Sequence, residues 1–175
     1  SLNLLVERSM GDRQNLKNEL SKINSFIVNK KKISIDEIIK LTNLAENYDI
    51  SKLIDNCLAK NKNKTINILN ENKHSLEDCI FIIRTFLNKS KRLLKLCEEL
   101  DKKKNIDQAI LSYKPPIFWK EKEIIKKQLE NWNYKETENL IFKLNEIELL
   151  IKKNSQNSLN ILSNFILEQV SETSN

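Results

Sequence analysis

Apolar positions recur at three- and four-residue spacing through most of this chain, the period of an amphipathic helix. The longest such run is Ser75 to Asp101, where Cys79, Ile83, Phe86, Leu87, Leu93, Leu94, Cys97 and Leu100 form one continuous stripe. Ser75 stands at the N-cap position, with Glu77 and Asp78 in the first turn, where negative charge suits the helix dipole. Ile80, Phe81 and Ile82 lie off the stripe, which predicts a first half enclosed on several sides. Asn88 to Arg92 thins the apolar pattern, so the second half is amphipathic. A half-enclosed central rod predicts a helical bundle.

The other segments read as shorter helices. Leu2 to Arg8 reads as the last turns of a helix that starts upstream, which suggests a piece of a longer protein. Asp12 caps a helix with Leu16, Leu20, Ile23 and Ile27 on one face, closed by Lys30 to Lys32. Ser34 and Glu37 are spaced as a capping box, and Ile33 and Ile38 as a hydrophobic staple. After a polar break at Ala45 to Asp49, a helix opening at Asp49 or Ser51 carries Ile50, Leu53, Ile54, Cys57 and Leu58. Lys60 to Lys64 reads as a loop and Thr65 to Glu71 as a short helix. Asn105 and Gln108 form a second capping box, and Pro115 and Pro116 stop the helix that follows. Phe118 to Trp132 returns to helix, with Ile125, Leu129 and Trp132 inward. Asn133 and Glu136 cap a helix bearing Leu140, Ile141, Leu144, Ile147 and Ile151. Leu159, Leu162, Phe165 and Ile166 line the last helix.

Composition strengthens this picture. One Gly and two Pro in 175 residues leave few turn-forming positions, so long helices are expected. No apolar run approaches the roughly 18–20 residues of a membrane span, and Leu4-Leu5-Val6 is too short for a signal core. Three cysteines on apolar faces, without paired spacing, suit a reducing cytoplasm. The net charge of +6 comes from lysine clusters at 30–32, 60–64, 89–95, 102–104 and 120–127, interleaved with acids. A solvated surface accounts for most of them, with weak attraction to nucleic acid as the alternative.

Little catalytic chemistry is visible. With Gly11 as the only glycine, neither GxxxxGK nor GxGxxG can occur. His74 has no Cys or carboxylate at metal-ligand spacing, so no metal is expected. Glu98, Glu99 and Asp101 sit at a helix end facing lysines and read as a solvated face. No catalytic residue, cofactor or metal site is expected. Trp119 and Trp132, among Lys120, Lys122, Lys126 and Lys127, form the one aromatic and basic constellation. Stacking of bases on aromatics in a basic groove is a single-strand binding mode, which makes Trp119, Lys120 and Lys122 the candidate nucleic-acid contacts. Trp132, on the apolar stripe, belongs to the core.

Ordered blocks of the chain resemble the C-terminal part of the bacterial DNA polymerase III delta subunit, a clamp-loader protein. GDRQNLKNELSKI and SIDEI are similar to helices of its AAA+ lid, and AENYDISKLIDNCLAKNKNKTINIL to the passage into its collar. IIRTFLNKSKRLLKL is similar to its central helix, and KPPIFWK followed by ELLIKK to its closing section. The resemblance covers essentially the whole chain. Each block alone is a common helical pattern, and the order and spacing carry the likeness.

It implies an all-α protein, with a three-helix lid-like unit over 1–46, truncated on its N-terminal side, and a helical-bundle collar over 47–175. The implied function is a non-ATPase subunit fragment of the polymerase III holoenzyme, contributing to DNA replication by assembling the clamp loader through its collar. The implied partners are the gamma/tau ATPase and delta-prime subunits. The sliding clamp would be reached only through an N-terminal module absent here, and DNA weakly or indirectly. A collar that meets neighbours retains apolar positions outside its own core. Ile80, Phe81, Phe142, Leu149 and Leu150 are the off-stripe candidates for that subunit interface, with a place in the internal core as the alternative for each. The alternative is a basic helical nucleic-acid-binding module.

Overall fold

The computed structural model describes residues 13–27, 33–34, 37–38, 44–71 and 76–171, with backbone alone for Asn15, 44–48 and 76–77. The fold is all-α. Among the described residues there are eight α-helices and no strand: α1 (Arg13–Ile27), α2 (Leu44–Leu58), α3 (Lys62–Glu71), α4 (Leu76–Lys103), α5 (Ile106–Ser112), α6 (Lys122–Asn131), α7 (Tyr134–Lys153) and α8 (Ser158–Ser171). The chain forms two compact units, Ser1–Ile50 and Ser51–Asn175. The expected caps at Asp12 and Ser75, the Leu2–Arg8 segment, the 30–32 turn and His74 lie outside the described residues.

In the first unit Ile23 of α1 and Ile38 are buried together, with Leu16, Leu20, Ile27 and Ile33 packed around them. The capping box forms as the sequence predicts. Glu37 N–H donates to Ser34 Oγ (3.2 Å) and Ser34 N–H to Glu37 Oε2 (2.9 Å).

The second unit is built on α4. Cys79, Ile82, Ile83, Phe86, Leu87, Leu93, Leu96 and Cys97 are all buried, and α5, α6, α7 and α8 pack against it. Helix α7 runs antiparallel to α4. Cys97 meets Thr137 at one end (3.8 Å), and Arg84 meets Glu148 at the other (3.7 Å). Phe165 of α8 closes edge-on over Phe86 with ring centroids 6.0 Å apart.

Five local expectations need correction. The first half of α4 is not enclosed all round: Phe81 is 42% exposed, while Ile82 beside it is fully buried. Ala45 to Asp49 is not a break but the opening turns of α2, which is helical from Leu44, since the segment contains no Gly or Pro. The 60–64 loop shrinks to a tight turn, since Asn61 caps α3 and the helix starts at Lys62. Phe118 to Trp132 is not one helix. A 3₁₀ turn at Trp119–Glu121 precedes α6, and Trp132 is extended (φ −135°, ψ 130°).

Leu159, expected inward, is exposed.

With one glycine in the chain, two lysines occupy left-handed positions at helix ends, Lys60 (φ 55°) and Lys104 (φ 54°). At Lys60 the Asn61 N–H reaches back to Asn56 O (2.9 Å) and the Lys60 N–H to Cys57 O (3.0 Å), the pattern that commonly ends a helix on glycine.

The two faces of α4 give a direct contrast. Phe86→Ala should cost about 3–5 kcal/mol through lost burial and a residual cavity. Phe81→Ala should change stability by no more than about 0.5 kcal/mol. Chemical denaturation of both variants checks this, and equal losses would refute the facing of the helix.

Candidate assembly surface

The polar middle of α4 fixes how the second unit presents its surface. Lys89 Nζ pairs with Asp55 Oδ2 of α2 at 2.7 Å, with both side chains nearly buried. Gln128 of α6, itself buried, donates through Nε2 to the Asp55 carbonyl (3.2 Å) and to Asp55 Oδ1 (3.3 Å). Arg92 Nη1 pairs with buried Glu121 at 3.0 Å. Between these two pairs Ser90 is fully buried with its hydroxyl unpartnered. Where the apolar pattern thins, Lys89, Ser90 and Arg92 therefore face inward, while Asn88 and Lys91 are exposed.

The end of α2 is held in a related way. Its last carbonyls lack helical donors. Trp132 Nε1 donates to Leu58 O (2.7 Å) and Asn131 Nδ2 to Ala59 O (3.5 Å). The Lys60 ammonium lies 4.2 Å from the Trp132 ring centre and donates to the Gln169 carbonyl. Trp132 belongs to the core, as its apolar spacing predicts. It leaves the helix so that its indole N–H can reach an acceptor on α2.

With that interior fixed, the outward face of α7 is defined. Leu140, Leu144 and Ile151 are buried, and Asn133 with Glu136 completes a capping box at its start (2.9 and 3.0 Å). At about 100° per residue, Phe142 and Leu149, two turns apart, point away from that buried face. They are 65% and 58% exposed. Leu150 is 43% exposed and sits to one side, and Ile80 of α4 is half-buried. Glu148, held between Arg84 (3.7 Å) and Lys152 (2.7 Å), joins α4 to α7 near Leu149. Those two cations, Lys152 first, hold its carboxyl below the usual range.

Trp119 stands apart, 68% exposed, tilted against Phe118, with the Lys120 ammonium 5.4 Å from its ring. Lys122 is half-buried at the start of α6. Lys126 is engaged with Asp107 (2.8 Å) and Glu123 (3.7 Å). The two tryptophans share no surface. Leu111 and Tyr134 are also exposed, and no periodicity marks them.

A shallow groove of about 300 Å³ runs past Cys97, Asp101, Glu130, Trp132 and Tyr134. Cys97 on its wall is buried, and burial pushes its thiol up rather than activating it. Among the described residues no group of three or more His, Cys, Asp or Glu could hold a metal ion. Cys57, Cys79 and Cys97 are free and buried. Burial pushes all three thiols up, Cys57 to about 12. No described helix is long and apolar enough to cross a membrane. No protein-family model, curated protein or solved structure matches the chain.

Two outcomes follow from this interior. Asp55→Ala strands the Lys89 ammonium and should cost about 3 kcal/mol or more, with part recovered in Asp55→Leu/Lys89→Met. Urea denaturation reads it, and a loss under about 0.5 kcal/mol would show the pair to be idle. For Cys57 the folded thiol keeps its proton to about pH 12, whereas the unfolded one loses it near pH 9. The unfolded state then binds fewer protons in that window, so stability falls as pH rises. The fall in midpoint between about pH 9 and 11 should be smaller in Cys57→Ala, and an identical fall would exclude this thiol as a cause.

Proposed function

We propose that the chain is an assembly module of a clamp loader, the reading its ordered sequence blocks suggest. One observation carries it: α7 turns Phe142 and Leu149 outward on the side opposite its core. Exposed large side chains backed by a packed helix are what a subunit interface requires. In this reading 1–46 is the lid-like unit and 47–175 the collar, which works in the cytoplasm beside the ATPase and delta-prime subunits. The module contributes to DNA replication by holding the complex together and performs no chemistry itself.

The basic nucleic-acid-binding alternative draws on exposed Trp119 and Lys120. Against it, Lys89, Arg92, Lys60 and Lys126 have partners within the chain, which leaves a thinner positive surface than the sequence suggests.

Size-exclusion chromatography at about 0.3 M salt separates the two, because exposed charges are then screened beyond about 6 Å. Co-elution with the ATPase and delta-prime subunits, lost in Phe142→Asp/Leu149→Asp, is the expected result. Retention on single-stranded DNA without any subunit complex would favour the alternative.

A further inference from the structure

The outward face of α7 carries a second pattern that hetero-assembly does not require. Glu138, Phe142, Leu149 and Lys153 follow one another at intervals of 4, 7 and 4 residues, symmetric about the point between Asn145 and Glu146. At about 100° per residue all four fall within an arc of about 60°. Phe142 and Leu149 are exposed, and so are Glu138 and Lys153, neither of which pairs with another described residue.

We propose that this face pairs with the same face of a second copy of the chain, antiparallel about a two-fold axis. In that register Phe142 packs on Leu149 of the second copy, and Glu138 faces its Lys153. The axis repeats each contact, so a single helix face supplies two apolar contacts and two opposite-charge pairs. A parallel register sets Glu138 against Glu138 and Lys153 against Lys153. The charges therefore choose the direction, while the apolar pair provides the affinity, since exposed ion pairs alone contribute little. One unfavourable pair remains: Glu146 lies beside its own counterpart near the axis. The inference is independent of the clamp-loader reading. If both hold, self-pairing covers the face that the other subunits need, and the free chain is kept apart until they displace it.

One helix face falls in the weak class of interface, below about 1,200 Å², so the dimer should show only toward high micromolar concentration. Sedimentation equilibrium of the full chain from about 1 to 300 μM reads it. Glu138→Lys and Lys153→Glu should each weaken association about tenfold, since each makes both pairs repulsive. The double variant should return to the wild-type constant, and Glu146→Gln should tighten it. Phe142→Asp should be monomeric with an unchanged thermal midpoint, which separates lost pairing from lost folding. A monomer at every concentration, or a dimer that the double swap fails to restore, would overturn the proposal. Binding of the ATPase subunits is a separate measurement, which the charge swap need not affect.

Discussion

The ion pair between Lys89 and Asp55 carries more of this architecture than its size suggests. Taking two charges out of water is costly, and their attraction offsets that cost only with good geometry and further hydrogen bonds. Here Gln128 supplies those bonds to the same carboxylate and to its backbone carbonyl, so one aspartate joins α2, α4 and α6. An apolar core alone would tolerate a helix sliding or rotating by a turn. A buried charge held by one carboxylate suits a single rotation of α4, the one in which α7 packs along it.

The same constraint explains the polar decoration around it. Arg92 and Glu121 repeat the arrangement at the turn before α6. Trp132 leaves its helix to donate to Leu58, and its ring receives the Lys60 ammonium. Lys60 is held in a left-handed conformation that costs a residue with a Cβ roughly 1–2 kcal/mol. Its contacts with Trp132 and the Gln169 carbonyl offset that strain. A glycine would relieve the backbone but lose both contacts.

Helices were legible wherever apolar period and cap chemistry coincided. The stripe of α4, the capping box at Asn133 and the staple at Ile33 and Ile38 are local patterns, and the chain follows them. Phe142 and Leu149 fall off the period of Leu140, Leu144 and Ile151, an offset that fits an outward place or a second core contact alike, and the packing of α7 on α4 decides for the outward one. The buried polar residues were not legible. Lys89 and Arg92 look solvated in sequence because their partners lie 34 and 29 positions away, at Asp55 and Glu121. Trp132 kept its apolar spacing but lost its helix, since the acceptor for its N–H is on α2. The lysine clusters misled in the same way: charge counted along a chain says nothing of which cations have partners.

On the proposed reading the outward face of α7 is the working surface of the molecule and the Trp119 corner is not. Hydroxyl-radical footprinting of the dilute chain, alone and mixed with the ATPase and delta-prime subunits, tests it residue by residue. Labelling of Phe142 and Leu149 should fall in the mixture while that of Trp119 and Leu111 stays unchanged. Protection of Trp119 with Phe142 still fully labelled would contradict it.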